Sequence, residues 1–118
     1  MDEKRKARLQ AGGIDVDSAL ARMMGSEALL ERFLGKFPDD LNYPALCGAI
    51  AAQDAEGALR AAHTLKGVCG NLSITELFNQ LTAQVAEFRA GDWDAASARM
   101  PAIAAAYDRA VAAIRGEA

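Results

Sequence analysis

The stretch that decides the fold of this 118-residue chain is residues 62–71, Ala-His-Thr-Leu-Lys-Gly-Val-Cys-Gly-Asn. Apolar residues recur around it at helical spacing, so it can be placed on a helical wheel at about 100° per residue. The apolar side chains gather opposite His63, the one histidine of the chain. The residues within about 60° of the histidine are Glu56, Arg60, Lys66, Gly67 and Gly70. The pattern predicts a solvent-facing imidazole on a helix whose other side is buried.

Two glycines clear the surface beside the histidine. Each glycine in a helix interior costs about 1 kcal/mol relative to alanine, so Gly67 and Gly70 indicate that something has to come close to the imidazole. Leu59, one turn before His63, lies on the same face and is a candidate anchor for a partner's helix. The alternative interpretation is a solitary surface leucine, which is common in globular proteins.

Composition favours an all-α fold. Apolar residues make up 52% of the chain and charged residues 25%, as in a globular domain. Much of the apolar content is alanine, a strong helix former, whereas residues that favour strands are sparse. Prolines predict a bend within residues 38–44 and a kink at Pro101. Because short connections make neighbouring helices antiparallel, we predict an antiparallel up-down four-helix bundle with a short extra N-terminal helix.

Polar residues at helix starts mark the boundaries of the predicted elements. Residues 1–12 are polar and end at a pair of glycines, so we expect a flexible N-terminal arm there and the helical bundle over residues 13–116. Four side chains stand at positions typical of N-caps, and these are Asp15, Ser26, Asp54 and Asp92. Either Ser73 or Thr75 is expected to cap the helix that follows the histidine helix.

Charge and cysteine content argue against several classes of protein. The net charge of −3 disfavours nucleic acid as a partner, since phosphate backbones require a basic face. No stretch approaches the roughly 18 apolar residues of a membrane span, and no apolar segment follows the basic N-terminal cluster as in a secretory signal. Cys47 and Cys69 lie in apolar helical patterns and are expected as reduced core residues, which favours the cytoplasm. We expect a monomer.

The chemistry open to His63 is limited by what surrounds it. A neutral imidazole has a free lone pair and can act as a nucleophile. Zinc is disfavoured because the chain has no second histidine and Cys69 lies on the opposite side of the helix. An acyl-transfer triad would also need an oxyanion hole, for which the sequence offers no clear place. Phosphoryl transfer suits the neighbours, because Lys66 and Arg60 offset negative charge while Gly67 admits an in-line donor.

The chain shows no sign of a nucleotide site. It lacks a phosphate loop of the Gly-x-x-x-x-Gly-Lys-Ser/Thr kind and the signature set of protein kinases. We therefore expect no kinase activity, no cofactor and no metal. A phosphoryl group on His63 would have to come from another protein and be passed on.

These residues resemble the signature of a known family. Residues 62–67, Ala-His-Thr-Leu-Lys-Gly, and residues 70–72, Gly-Asn-Leu, are similar to those of histidine-containing phosphotransfer (HPt) domains, which are four-helix bundles of two-component phosphorelays. The resemblance implies that His63 accepts the phosphoryl group, that Lys66 stabilises it and that Gly67 admits a receiver domain's phospho-aspartate. It also implies response-regulator receiver domains as partners, with a hybrid histidine kinase as a further candidate.

Two positions depart from the family pattern. Ser73 stands where the family usually has glycine, at the turn after the histidine helix, and we expect a local adjustment there. The family often has a glutamate or glutamine on the next helix, aimed at the imidazole, where this chain has Val85. Gln80 and Gln84 lie on one face of that helix and are the candidates to replace it.

Two functions of different classes follow as hypotheses. The first is a phosphorelay intermediate that accepts a phosphoryl group on His63 from one receiver domain and passes it to another. The second is a non-catalytic docking bundle that binds receiver or kinase domains without transfer. The presence of both His63 and Lys66 favours the first, because a docking module needs neither. A purely structural domain is disfavoured, since Leu59 is the only sign of an exposed apolar patch.

Overall fold

Polar N-caps and left-handed turns divide the chain into helices with short connections. The computed structural model describes residues 1–116, and these form α1 (Glu3–Ala11), α2 (Val16–Arg22), α3 (Glu27–Lys36), α4 (Asn42–Ala51), α5 (Ala55–Asn71), α6 (Thr75–Arg89), α7 (Trp93–Ala98) and α8 (Met100–Arg115). A 3-10 turn, Phe37–Asp39, links α3 to α4. Within the described residues, strand-like pairing is limited to one isolated antiparallel bridge, between Ile14 and Ile74. The predicted all-α helical bundle is confirmed.

The predicted N-caps are confirmed. In each of them a side-chain oxygen accepts a hydrogen bond from the backbone N–H three residues later, and the capping residues are Asp15, Ser26, Asp54 and Asp92. A cap of this kind contributes about 1 kcal/mol. Asp54 matters most for the site, because it starts α5, the helix that carries His63.

The core fixes which face of α5 meets solvent. This helix packs against α4 and α6, and its fully buried residues are Ala58, Ala62, Leu65 and Cys69. They belong to one apolar cluster with Leu46, Leu77, Leu81 and Ile103 of the neighbouring helices. Each buried leucine or isoleucine stabilises the fold by about 1.5–3 kcal/mol. Because this side of α5 is held in the core, the opposite side, with His63, is exposed.

The turn between α5 and α6 is where the expectation for Ser73 is corrected. Neither Ser73 nor Thr75 caps α6, because Ile74 occupies the N-cap position without a side-chain bond. Ser73 instead has a left-handed φ of 52°, a conformation that glycine adopts without strain, and its hydroxyl donates to the hydroxyl of Ser18 at 3.0 Å. The backbone N–H of Asp15 donates to the Ser73 carbonyl at 2.8 Å, so the turn is docked on the start of α2.

Residues 1–12 are not a flexible arm, since most of them form α1. Leu9 is fully buried, and the backbone of Gly12 lies so close to α8 that a Cβ there would overlap the Cβ of Ala113. The guanidinium of Arg5 donates to the carbonyl of Ile114 at 2.8 Å. The predicted boundary at residue 13 therefore does not separate a loose segment from a folded one. Sequence periodicity missed this helix because one apolar side chain and long-range polar contacts hold it.

The prolines act as expected in one place and differently in another. The bend within residues 38–44 is confirmed, since the 3-10 turn ends at Asp39 and α4 begins at Asn42. At Pro101 the predicted kink is a full break between α7 and α8, with the proline in the first turn of α8, where its missing N–H costs no helical hydrogen bond.

The two cysteines differ in how far they are buried. Both thiols are free, and Cys69 is buried in the core, as expected, whereas Cys47 is only half-buried and is not part of the core cluster. Burial raises the pKa of the Cys69 thiol to about 12. Among the helices of residues 1–116, none has the length and apolarity that crossing a membrane requires.

Candidate functional site

The outer face of α5 presents the imidazole of His63 to solvent. Arg60 and Gly67 on the same face are also exposed, and Lys66 is half-buried. The spacing places Arg60 one turn before the histidine and Lys66 and Gly67 one turn after it. The structure thus brings the predicted cations and the predicted bare backbone to the same face as the imidazole.

A shallow surface cleft of about 280 Å³ contains the imidazole. Its lining residues are Glu56, Leu59, Arg60, His63, Thr64 and Arg89. Leu59 is half-buried and packs against the edge of the core, so it presents only part of its side chain to a partner. Lys66, Gly67 and Gly70 share the face with His63 but do not line this cleft.

Arg89 is the residue of the cleft that sequence reasoning missed. It is the last residue of α6 and is exposed. The three-residue turn between α5 and α6 makes these helices antiparallel, with Gly70 near the ring of Phe78. The same pairing places the end of α6 opposite Leu59 and Arg60, about one turn before His63, and so at the cleft. Spacing along one helix could not show this, but pairing the two helices about their short turn could have found it.

The cations of this face have no ion-pair partner within residues 1–116. The five ion pairs in that part of the chain all lie elsewhere, and none includes Arg60, Lys66 or Arg89. Glu56 also lines the cleft, yet it forms no ion pair with Arg60. Three cations on the face of the imidazole, against the one carboxylate of Glu56, favour binding of an anionic group.

Gly67 leaves open space that the fold itself does not need. A Cβ built on this residue would meet no atom within 4 Å, whereas one on Gly70 would make an ordinary contact of 3.8 Å with the ring of Phe78. Packing within the chain therefore does not require glycine at position 67. The bare backbone beside His63 is free to receive a surface from outside.

The site lies inside the region that matches a known protein family. The model of the Hpt domain family matches residues 28–113 of the chain. The chain belongs to the Hpt domain family. No curated protein and no solved structure shows a significant match to it. Hpt domains are phosphoryl carriers of phosphorelays, use a histidine for transfer and interact with receiver domains.

In this Hpt domain neither candidate glutamine lies at the imidazole. Gln84 is fully buried, and its Nε2 donates to the Ala96 carbonyl at 3.0 Å and to the Met100 Sδ at 3.2 Å. The Oε1 of Gln80 accepts from the guanidinium of Arg99 at 3.1 Å. Both side chains therefore support the junction of α7 and α8, and the expectation that one of them faces His63 is not met. Both side chains point toward α7 and α8 because they form hydrogen bonds with residues there. The spacing of residues along α6 alone does not predict these hydrogen bonds.

A second cleft, apolar and of about 480 Å³, lies alongside the C-terminal half of α5, the histidine helix of the Hpt domain. Its lining residues are Arg22, Met23, Phe33, Lys36, Phe37, Asp40, Val68, Asn71 and Leu72. Phe33 is 40% exposed, and Met24, which follows the lining residue Met23 in the chain, is 94% exposed. The ammonium of Lys36 lies 5.9 Å from the centre of the Phe33 ring. We call this the apolar cleft below, and α2 and α3 with the 3-10 turn form one of its walls.

Proposed function

We propose that this Hpt domain is a phosphorelay intermediate in which His63 accepts a phosphoryl group from a receiver-domain aspartate and returns it to another receiver. The observation that carries the proposal is an exposed imidazole, the only one in the chain, bordered by cations that form no ion pair within the described residues and by a glycine with open space. A docking module would need neither the imidazole nor these charges.

The proposed reaction is an in-line phosphoryl transfer. The ring nitrogen of His63 that carries the lone pair attacks phosphorus, and an N–P bond forms. The P–O bond to the aspartate breaks, and its electron pair leaves with the carboxylate. Transfer to a second receiver reverses these steps. The chain supplies positioning and charge, and no metal or nucleotide of its own enters the step.

Charge stabilisation in this proposal comes from two helices. Lys66 and Arg60 stand one turn on either side of His63 on α5, and Arg89 approaches from α6. Negative charge spreads over the three equatorial oxygens of the transferring group, so cations on several sides stabilise it better than one. Gly67 leaves room for the donor, whose reacting atoms have to reach about 3–3.5 Å from the nitrogen.

Docking of the receiver in this proposal uses the apolar cleft. Val68 and Asn71 line it from the histidine helix, so the cleft continues the surface that starts at Gly67. The exposed rim residues Met24 and Phe33 add apolar area that would be removed from water on binding. Arg22 and Lys36 on the same rim would face acidic groups of the partner.

The test is phosphotransfer from a panel of phosphorylated receiver domains to the wild-type chain and to His63→Gln. We expect acid-labile, base-stable label on the wild type and none on the variant. Circular dichroism of the variant controls for folding, since an exposed side chain should not affect it. Equal labelling of the two proteins rejects His63 as acceptor. Binding of a receiver without any transfer to the wild type would instead support the docking-module alternative.

A further inference from the structure

Helix α1 is joined to both elements that form one wall of the apolar cleft. The Nε and Nη2 of Arg5 donate to the two carboxylate oxygens of Glu31 on α3, at 3.0 and 2.8 Å. Lys6 forms an ion pair with Asp17 on α2 at 2.9 Å. A bidentate arginine–carboxylate pair fixes orientation as well as distance, so α3 is tied to α1 in a defined geometry.

The same arginine also fixes α1 to the far end of the bundle. The Nη1 of Arg5 donates to the carbonyls of Ile114 and Ala113 at 2.8 and 3.3 Å, in the last turn of α8. The Ala113 carbonyl also accepts from the backbone N–H of the C-cap residue Gly116 at 3.2 Å, and a cation at this end of the helix interacts favourably with the helix dipole. One side chain therefore connects α1, α3 and α8.

The α2–α3 wall of the cleft is also held by the core, through the fully buried side chains of Val16 and Ala19 on α2 and of Leu30 and Leu34 on α3, and the links from α1 add to that packing. The turn from α2 to α3 contains Met24 and Gly25, both with left-handed φ, 57° and 81°. The opposite wall, Val68 to Leu72, belongs to the histidine helix and is held by the core. The position of the α2–α3 wall is thus set by its core packing together with the polar links from α1.

We propose that Arg5 is a positioning residue for receiver binding, and that α1 acts as a strap that holds the α2–α3 wall at the correct distance from the histidine helix. The inference rests on the proposed function for its partner. Helix α1 lies outside the matched family region, residues 28–113, whereas its anchor Glu31 lies inside it. Loosening it changes the affinity for a receiver without changing the reactivity of the imidazole.

The test compares Arg5→Gln with the matched control Lys4→Gln. Lys4 is an exposed neighbour on α1, outside the ion pairs of the described residues, so both variants lose one positive charge from the same helix. For Arg5→Gln we expect the half-saturating concentration of phosphorylated receiver to rise by about fivefold or more. The maximal transfer rate, and the labelling of His63 by phosphoramidate, a small donor that needs no docking surface, should stay at wild-type values. Lys4→Gln should leave all three quantities unchanged.

A second measurement keeps the inference testable apart from the proposed function. Amide hydrogen exchange should become faster in residues 16–36 of Arg5→Gln and stay unchanged in α5 and α6. Glu31→Gln, which removes only the α3 end of the tether, should give the same pattern if Arg5→Gln does not fold. Unchanged exchange in residues 16–36, or faster exchange throughout the chain, overturns the strap. Failure of every receiver to label the wild type rejects the proposed function alone, because the exchange pattern does not depend on it.

Discussion

On the face of His63, three cationic side chains from two helices form no ion pair within residues 1–116, on a molecule whose net charge is −3. Arg60 and Lys66 come from α5, and Arg89 comes from the end of α6. A phosphoryl group therefore meets more cations than carboxylates on this face, since Glu56 is the one acidic residue that lines the cleft. The bare backbone at Gly67 gives that group a route to the imidazole, so charge and access coincide at this one turn of α5.

Replacing Gly67 with alanine should separate folding from transfer. A Cβ there meets nothing within 4 Å, and alanine is a better helix former by about 1 kcal/mol, so the variant should be more stable. Transfer from a phosphorylated receiver should nevertheless become slower, by about tenfold or more, because the methyl group holds the donor away from the nitrogen. Thermal unfolding and single-turnover transfer measure the two effects.

The matched control for this change is Gly48→Ala on α4. Gly48 is also an exposed helical glycine whose Cβ would meet nothing within 4 Å, but it lies on α4 and not on the face of α5 that carries His63. This variant should gain similar stability and keep the wild-type transfer rate. Transfer at the wild-type rate by Gly67→Ala would show that the open space beside the histidine is not used by the donor.

Arg89→Gln should lower the rate of transfer without changing the fold. The side chain is exposed and forms no ion pair within the described residues, so its loss should leave the melting temperature unchanged. Buried oxyanion donors contribute about 10²–10³ in rate, and solvent screening at this exposed site reduces the expected loss to about tenfold. Arg115→Gln, an exposed arginine at the end of α8, is the control. A transfer rate equal to that of the control would remove Arg89 from the mechanism.

The turn between α5 and α6 connects these two helices to the segment at the start of α2. Ser73 occupies a left-handed conformation there, and its carbonyl and hydroxyl bind Asp15 and Ser18. The backbone N–H of Thr75 donates to the Gly13 carbonyl at 2.9 Å. The register between α5 and α2 is thus set at this turn, close to the apolar cleft.

The stability of variants at position 73 should depend on backbone strain more than on the polarity of the side chain. Ser73→Val places a β-branched residue at a φ of 52°, which costs about 1–2 kcal/mol and also removes the bond to Ser18. Ser73→Gly relieves the strain, and the greater freedom of its unfolded chain offsets that gain, so its stability should stay within about 1 kcal/mol of the wild type. Urea unfolding of the two variants gives the comparison. Equal destabilisation by valine and glycine would mean that the hydroxyl bond, and not the backbone, is what matters.

For the molecule as a whole, acid stability should depend on the tether between α1 and α3. The hydrogen bond from Arg5 lowers the pKa of Glu31 below its usual value. A carboxyl group whose pKa is lower in the folded state stabilises the fold above its unfolded pKa, near 4.3, and this contribution is lost as the pH falls through the folded value. Glu31→Gln should therefore be less stable at pH 7 but lose less stability than the wild type between pH 5 and pH 3.

Asp108→Asn serves as the control for this acid titration. Asp108 is exposed on α8 and belongs to none of the ion pairs in residues 1–116, so the fall in stability between pH 5 and pH 3 should match that of the wild type. Chemical denaturation at each pH gives the free energy of unfolding. Parallel pH curves for Glu31→Gln and the wild type would contradict the assigned role of this pair.

Local features of this fold could be predicted from the sequence, and distant ones could not. The cap at Asp54 and the outward direction of His63 depend on residues within one or two turns, and both were predicted correctly. Three other features depend on partners far along the chain. These are the helical structure of residues 3–11, the position of Arg89 in the cleft and the direction of the Gln84 side chain. Leu9 is the only fully buried residue of α1, so periodicity gave no signal for a helix that Arg5 holds from outside.

Residues of two helices line the cleft of His63, so its geometry depends on the axial position of α6 relative to α5. Arg60 moves with α5 and Arg89 with α6, so an axial displacement of one helix by a single turn, about 5.4 Å, would draw the two guanidinium groups apart or push them together. The apolar core that the two helices share, which includes Leu65 and Leu81, opposes that displacement. Conservative changes of side-chain shape deep between these helices would therefore tune the chemistry of a surface they never touch.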